Sequence, residues 1–235
     1  MNACARARPM RASRQLEGKP MELLADRLQS CYSGAVYDVM RDLGLRPHVL
    51  PRAIVGLEPT MKVAGPVFTV RGRPDPTIDA HQSLLEWTGL LSRAPAGHVV
   101  ICQPQDDVRA LMGELSAEAL RLRGVRGYIV DGGCRDTELI CEQGFPVFCR
   151  YTSPIDIVAS WRPEAFDEPV TIGNVTIYAG DYVLADRDGI ILIPSAEAEN
   201  VIARTEAVMS TESDLRRAVR DGQDPQQAYL RYGKF

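Results

Sequence analysis

The sequence predicts an α/β fold with some parallel strand pairing. Three observations lead there. Helix-like and strand-like segments alternate through residues 113–150. Residues 169–194 change character, with short β-rich runs divided by Gly and Asp turns, which read as hairpins. A long helix-like run follows over 195–220, with Ser195 as its expected cap and Glu197 and Glu199 in its first turn.

The elements follow in order. Residues 1–20 read as a disordered tail, with Arg6, Arg8, Arg11 and Arg14 and no acid before Glu17. The tail has no apolar core of a secretory signal and no amphipathic periodicity of a transit peptide. Residues 21–235 are expected to form one catalytic domain ending in a helix. Leu23, Leu24, Leu28, Val36, Val39, Met40 and Leu43 mark a helix over 21–45. Ser33 and Gly34 divide it, and its second part ends near Gly44. Pro47, Pro51 and Pro59 punctuate a loop. KVAGPVFTVR at 62–71 reads as a strand broken at Gly65-Pro66. Residues 79–92 read as a helix, and Gly97 introduces the strand HVVICQ. GELSAEALRLR at 113–123 is an amphipathic helix closed by Gly124 and Gly127, before the buried strand Tyr128–Val130. A helical turn at 136–143 and the strand PVFCR at 146–150 complete the alternation.

Composition bounds the function. The 235 residues suffice for a sizeable core, and 45% apolar with 25% charged is ordinary globular usage. A net charge of −4 gives no bulk pull toward nucleic acid or anionic membrane. No apolar run approaches the roughly 20 residues of a membrane span. A soluble, cytoplasmic protein is expected, without nucleic-acid or membrane partners. The six cysteines form no C-x-x-C pair, and His48, His81 and His98 lie far from them, so neither a disulfide framework nor a zinc site is expected. Most cysteines should be small core residues. Only three lysines occur among 27 basic residues. Lys19 lies in the tail and Lys234 is penultimate. Lys62 alone sits in a strand-like segment, so imine chemistry has one weak candidate.

The chemistry concentrates in Gly113–Glu138. A helix opens at Gly113-Glu114-Leu115-Ser116, and its first N–H groups with the helix dipole suit a carboxylate or phosphate. Alone, this is an ordinary helix start. Asp131-Gly132-Gly133-Cys134-Arg135-Asp136 follows the strand YIV, where α/β proteins bind ligands, and its glycines allow close backbone approach. Alone, it is a strand-to-helix turn with Asp136 as N-cap. Arg135 offers a planar fork for a carboxylate or enolate oxygen, and Asp136 a hard oxygen for Mg²⁺. Alone, the two make a surface ion pair. Asp38 lies among apolar residues on a helix and reads as solvent-facing. Asp181, Asp186 and Asp188 fit turn chemistry. No P-loop, dinucleotide-type glycine pattern or G-x-S-x-G element appears.

The segment GELSAEALRLRGVRGYIVDGGCRD resembles the signature of the RraA-like family, which includes 4-hydroxy-4-methyl-2-oxoglutarate aldolases. The resemblance covers roughly residues 30–194, through SGAVYDVMRDLG, GPVFTVRG, GFPVFCR and AGDYVLADRDGIILIP. It implies a swivelling β/β/α-type single domain with flanking helices, assembled as a homotrimer or hexamer. It implies Mg²⁺ or Mn²⁺ on Asp136, with water as most other ligands. Arg135 would contact the keto oxygen of a 2-oxo acid substrate. Gly113, Leu115 and Ser116 would hold its carboxylate, and Glu114 would orient a catalytic water. Asp38 matches an acid that reaches the site from a neighbouring subunit. The chain departs from the family in having Leu139 where an acid is common, with Glu138 one residue earlier, and AGD at 179–181 in place of PGD.

The resemblance implies a class II retro-aldol lyase that releases pyruvate, with oxaloacetate decarboxylation as a second activity. A non-catalytic regulator of ribonuclease E is the alternative. It lacks the metal-binding Asp that this chain keeps as Asp136. A third reading is a lyase or dehydratase for another 2-oxo or sugar acid. Specificity would then lie in loops, Arg71 or the Asp75–Asp79 stretch among them.

Overall fold

A computed structural model describes residues 20–46 and 48–233, so residues 1–19 of the expected tail, Pro47 and the last two residues lie outside it. The divided N-terminal helix is present as α1 (Pro20–Ser30) and α2 (Ser33–Asp42). Asp186 ties the start of α2, accepting from the Ser33 backbone N–H at 2.8 Å and from its hydroxyl at 2.7 Å. Asp186→Ala should cost about 1–2 kcal/mol, as loss of a helix cap does, read as a lower urea midpoint with unchanged m. Gly44, at φ +70°, closes the segment as anticipated.

The strands that follow are β1 (His48–Val49), β2 (Val55–Gly56) and β3 (Val63–Pro74). After them come α3 (Ala80–Arg93), β4 (Val99–Gln103), α4 (Glu114–Leu122), β5 (Gly127–Val130), β6 (Gly133–Cys134), α5 (Thr137–Gln143), β7 (Val147–Cys149) and β8 (Tyr151–Thr152). Next are β9 (Trp161–Phe166) and the hairpins β10 (Val170–Ile172) with β11 (Val175–Ile177) and β12 (Tyr182–Asp186) with β13 (Gly189–Ile193). Helices α6 (Ala198–Arg220) and α7 (Pro225–Tyr232) end the described chain. No helix among the described residues is long and apolar enough to cross a membrane.

The main sheet runs β1-β13-β12-β3-β4-β5-β7-β2, with β9 also on β3. Its centre, β3-β4-β5-β7, is parallel, and the flanking pairs are antiparallel. The expected break at Gly65-Pro66 is not there: β3 is one strand that changes partners. Its first residues pair with β12, and Val67 onward pairs with β4. Gly65 is required because a Cβ would stand 2.8 Å from Cδ of Arg126, whose Nε donates to the Ala64 carbonyl at 2.6 Å.

This change of partner curls the sheet into a half-barrel. Val67, Val99, Ile101, Ile129, Val183 and Leu192 fill its inside together with Ile172 and Ile177. Val100, Cys102, Tyr128 and Val130 face the other way, against Trp87, Leu90, Leu120 and Ile140 of α3, α4 and α5. The strict alternation along β4 and β5 is the two-residue period of a sheet buried on both faces. A third cluster packs α1, α2 and α6 on β12 and β13.

Three local differences have physical causes. Ser195 does not cap the last long helix. A 3₁₀ turn spans Ser195–Glu197, and the Ser195 N–H donates to Asp181 instead, at 3.1 Å. Strand β9 carries Pro163, which masks a strand in sequence; it is tolerated opposite Gly72, where the register shifts. Helix α7 has a signal that went unread, since Asp224 accepts from Gln226 and Gln227 ahead of Pro225 at the first turn. Cys31, Cys102, Cys134 and Cys149 are buried and free, in keeping with the core role expected of them.

Candidate functional site

The parallel strands end on one side at a cavity of about 440 Å³, lined by the start of α4, the loop before α5 and the loop after β8. Two short segments are zipped together to build it. Leu111 N–H donates to Gly133 O at 2.8 Å and Arg135 N–H to Met112 O at 2.9 Å. These bonds bring the end of the β6 strand against the N-terminus of α4.

Asp136 occupies the position before α5, but its side chain does not cap that helix. Its backbone is left-handed, φ 54° and ψ 37°, a conformation that Asp tolerates better than most residues. This turns the carboxylate toward α4 instead. Oδ2 accepts from the Glu114 backbone N–H at 3.2 Å and lies 3.3 Å from Arg135 Nε. The predicted ion pair therefore exists, and it sits on a helix N-terminus rather than on a plain surface. Arg135 reaches a second acid with Nη1, 3.4 Å from Asp156 Oδ2. Asp156 is itself held, its Oδ1 accepting from the Val158 N–H at 3.1 Å.

Gly113 stands at the crowded point. A Cβ there would lie 2.8 Å from Asp136 Oδ2 and 3.1 Å from Arg135 Nε. Its φ of −141° is open to any residue, so the requirement is space and not backbone freedom. The first intrahelical bond of α4 runs from Ala117 N–H to Gly113 O at 3.0 Å. The N–H groups of Leu115 and Ser116 precede it and have no partner within the helix. The Ser116 hydroxyl accepts from Trp87 Nε1 at 2.9 Å, which fixes both side chains at the cavity wall. Glu114 Oε1 accepts from Gln143 Nε2 at 3.2 Å, so the acid next to the pair is anchored.

Gly113, Glu114, Leu115, Ser116, Arg135 and Asp136 thus share one cavity. Asp38 is not brought to it within the chain. It pairs with Arg41 at 2.8 Å and lines a separate cavity with Glu212 and Arg216. Glu138 faces a third cavity, beside Glu58 and Cys141. Arg71 is engaged with Glu164 and Glu168, Asp75 accepts from Thr77 and pairs with Arg162, and Asp79 caps α3. None of the three lines the Arg135 cavity. Asp181 and Asp186 serve turns and a helix start, as read. Sequence reasoning missed Asp156, Trp87 and Gln143. Trp87 and Asp156 come from a distant helix and loop, and Gln143 closes α5 itself; nothing local marks an acid in SPIDIV as facing Arg135.

Among the described residues, no cluster of three or more His, Cys, Asp or Glu side chains encloses a metal position. The donor set fits a hydrated hard cation held by few protein oxygens: a carboxylate with 39% of its side chain open to solvent, at a cavity mouth. It does not fit a dry metal cage.

Comparison with known proteins identifies the family and the fold. A family model described as RraA-like, Aldolase/RraA, matches residues 33–192. A protein of Halalkalibacterium halodurans named "Putative 4-hydroxy-4-methyl-2-oxoglutarate aldolase" is 28% identical over 183 residues, covering 77% of this chain and 83% of its own length. A solved structure described as one of novel cellulases from microbes of the gut ecosystem superposes with a TM-score of 0.77 at 30% identity, covering 86% of this chain and 90% of that one. Streptomyces coelicolor RraAS2, described as an unusual member of the RNase ES inhibitor RraA family, superposes with a TM-score of 0.72 at 26% identity, covering 85% of this chain and 98% of its own. The chain belongs to the RraA-like family.

Proposed function

We propose that this chain is a divalent-metal-dependent lyase. It cleaves 4-hydroxy-2-oxo acids, such as 4-hydroxy-4-methyl-2-oxoglutarate, to pyruvate, and it decarboxylates oxaloacetate. The observation that supports this most is the meeting of Arg135, Asp136 and the first turn of α4 in one cavity. The free N–H groups of Leu115 and Ser116 take the substrate carboxylate. The Arg135 fork donates to the 2-keto oxygen. Glu114, anchored by Gln143, orients the water that accepts the C4 hydroxyl proton. The C3–C4 bond then breaks. Its electron pair moves into the C2–C3 enolate, and C4 leaves as a carbonyl. Protonation at C3 completes pyruvate. With oxaloacetate, CO₂ leaves and the same enolate forms.

Mg²⁺ or Mn²⁺, held by Asp136 and otherwise by water, would supply Lewis-acid polarisation of the keto group. Arg135 shares the charge that develops on the enolate oxygen, a role typically worth about 3–4 kcal/mol per preorganised donor. The reading carries an assembly with it: a homotrimer or hexamer in which Asp38 reaches a neighbour's site.

The test is pyruvate release over a panel of 4-hydroxy-2-oxo acids and oxaloacetate, with Mg²⁺ and with chelator. Metal-dependent pyruvate release is expected. Equal rates with chelator would reject the metal role. Gly113→Ala should lower kcat/KM by about 10- to 100-fold, because the new methyl displaces Asp136 and Arg135 by a fraction of an ångström or more. Steady-state kinetics beside a thermal melt would separate that from misfolding.

The likeness to RraAS2 favours a second reading, a non-catalytic regulator of ribonuclease E. Inhibition of that ribonuclease by a chain that releases no pyruvate would select it.

A further inference from the structure

The carboxylate end of the candidate site holds a side-chain donor beside its backbone N–H groups, and its role rests on the lyase reading. Ser116 stands third in α4, within the first turn. Among the described residues, the hydroxyls that line the cavity around Arg135 are those of Ser116 and Thr88. Thr88 spends its proton inside its own helix, donating to the carbonyls of Leu84 and Leu85 at 2.8 and 3.1 Å. Thr205 and Ser213 do the same on α6. Ser116 does not. Its Oγ accepts from Trp87 Nε1 at 2.9 Å, and among the described residues its proton has no protein acceptor.

The reason is local. A helical serine turns its hydroxyl back to the carbonyl three or four residues earlier. Here those two carbonyls are already engaged: Met112 O accepts the Arg135 N–H at 2.9 Å, and Gly113 O accepts the Ala117 N–H at 3.0 Å. An indole N–H can only donate, so the Ser116 oxygen must be the acceptor and its proton turns away from Trp87. The indole is itself held. Trp87 is buried and stands edge-on to Trp161, with ring centroids 5.9 Å apart, and Trp161 Nε1 donates to the Pro104 carbonyl at 2.9 Å. An O–H whose oxygen already accepts a hydrogen bond is a stronger donor. At a helix N-terminus, such a donor suits an anion.

We infer that the Ser116 hydroxyl, turned by Trp87, is a third donor to the substrate carboxylate, beside the N–H groups of Leu115 and Ser116. Ser116 touches the substrate, and Trp87 is a positioning residue that acts through it. The carboxylate takes no part in bond breaking. Its bond to Ser116 is therefore as strong before the transition state as in it, and shows in KM more than in kcat.

The experiment has a kinetic and a binding arm. With the full chain and Mg²⁺, Ser116→Ala should raise KM for pyruvate release about tenfold, the loss of one hydrogen bond to a charged group, and lower kcat by about twofold at most. Calorimetry with oxalate should show a similar weakening. Trp87→Phe keeps a ring against Trp161 and removes the N–H. It should weaken oxalate too, but cause no further loss in a chain that already carries Ser116→Ala. KM and oxalate affinity unmoved by Ser116→Ala, or losses from the two changes that multiply, would overturn the assignment while leaving pyruvate release in place. Weaker oxalate binding in Ser116→Ala, with no pyruvate from any 4-hydroxy acid in the parent, would uphold the donor and reject the lyase reading.

Discussion

Arg135→Lys is expected to lower kcat/KM for pyruvate release by about 10²–10³-fold, the cost of removing one preorganised donor to a developing oxyanion. The guanidinium does two things at once in this site. Nε stands 3.3 Å from Asp136, and Nη1 stands 3.4 Å from Asp156. Its planar fork can keep those directions and still present an N–H to the substrate oxygen. A lysine ammonium is a single point on a flexible stem and cannot hold both acids. The pairs are more than a third exposed, with side-chain exposures of 39%, 39% and 46% for Arg135, Asp136 and Asp156. Their contribution to stability is correspondingly small. The variant should melt near the parent temperature while losing turnover. Near-normal turnover in Arg135→Lys would remove Arg135 from the chemistry.

Asp136→Asn should cost more, about 10³-fold, the loss of several kcal/mol of metal-derived stabilisation. The change is informative because it keeps shape. Asn tolerates the left-handed backbone at φ 54° as Asp does. Its amide oxygen can still accept the Glu114 N–H. What goes is the charge that would hold a cation. The residual rate should therefore be the same with Mg²⁺ and with chelator, whereas the parent responds to both. A variant that keeps its metal response would place the cation elsewhere.

The sequence made much of this legible where local chemistry and tertiary structure agree. The helix of Gly113–Arg123, the strand before Asp131 and the turn holding Arg135 and Asp136 were all readable from period and glycine placement. Glu114, Arg135 and Asp136, which meet in the cavity, all lie within that stretch. What escaped depends on long-range packing. Asp156 meets Arg135 only because two loops fold to the same side of the sheet. Gly65-Pro66 looked like a break because the partner switch from β12 to β4 is invisible in one strand's own residues. Asp136 looked like a helix cap, and its left-handed backbone redirects it to another helix. Asp38 belongs with a different cavity of the chain, so a single protomer does not bring it to Arg135.

The most direct measurement is electron paramagnetic resonance of Mn²⁺ titrated into the chain, with and without oxalate, a planar mimic of the pyruvate enolate. One Mn²⁺ should bind per chain through Asp136, oxalate should perturb its spectrum, and Asp136→Asn should abolish both signals while Arg135→Lys weakens only the oxalate response. Unchanged Mn²⁺ binding in Asp136→Asn, or an oxalate response indifferent to Arg135, would contradict the shared role of this carboxylate and guanidinium.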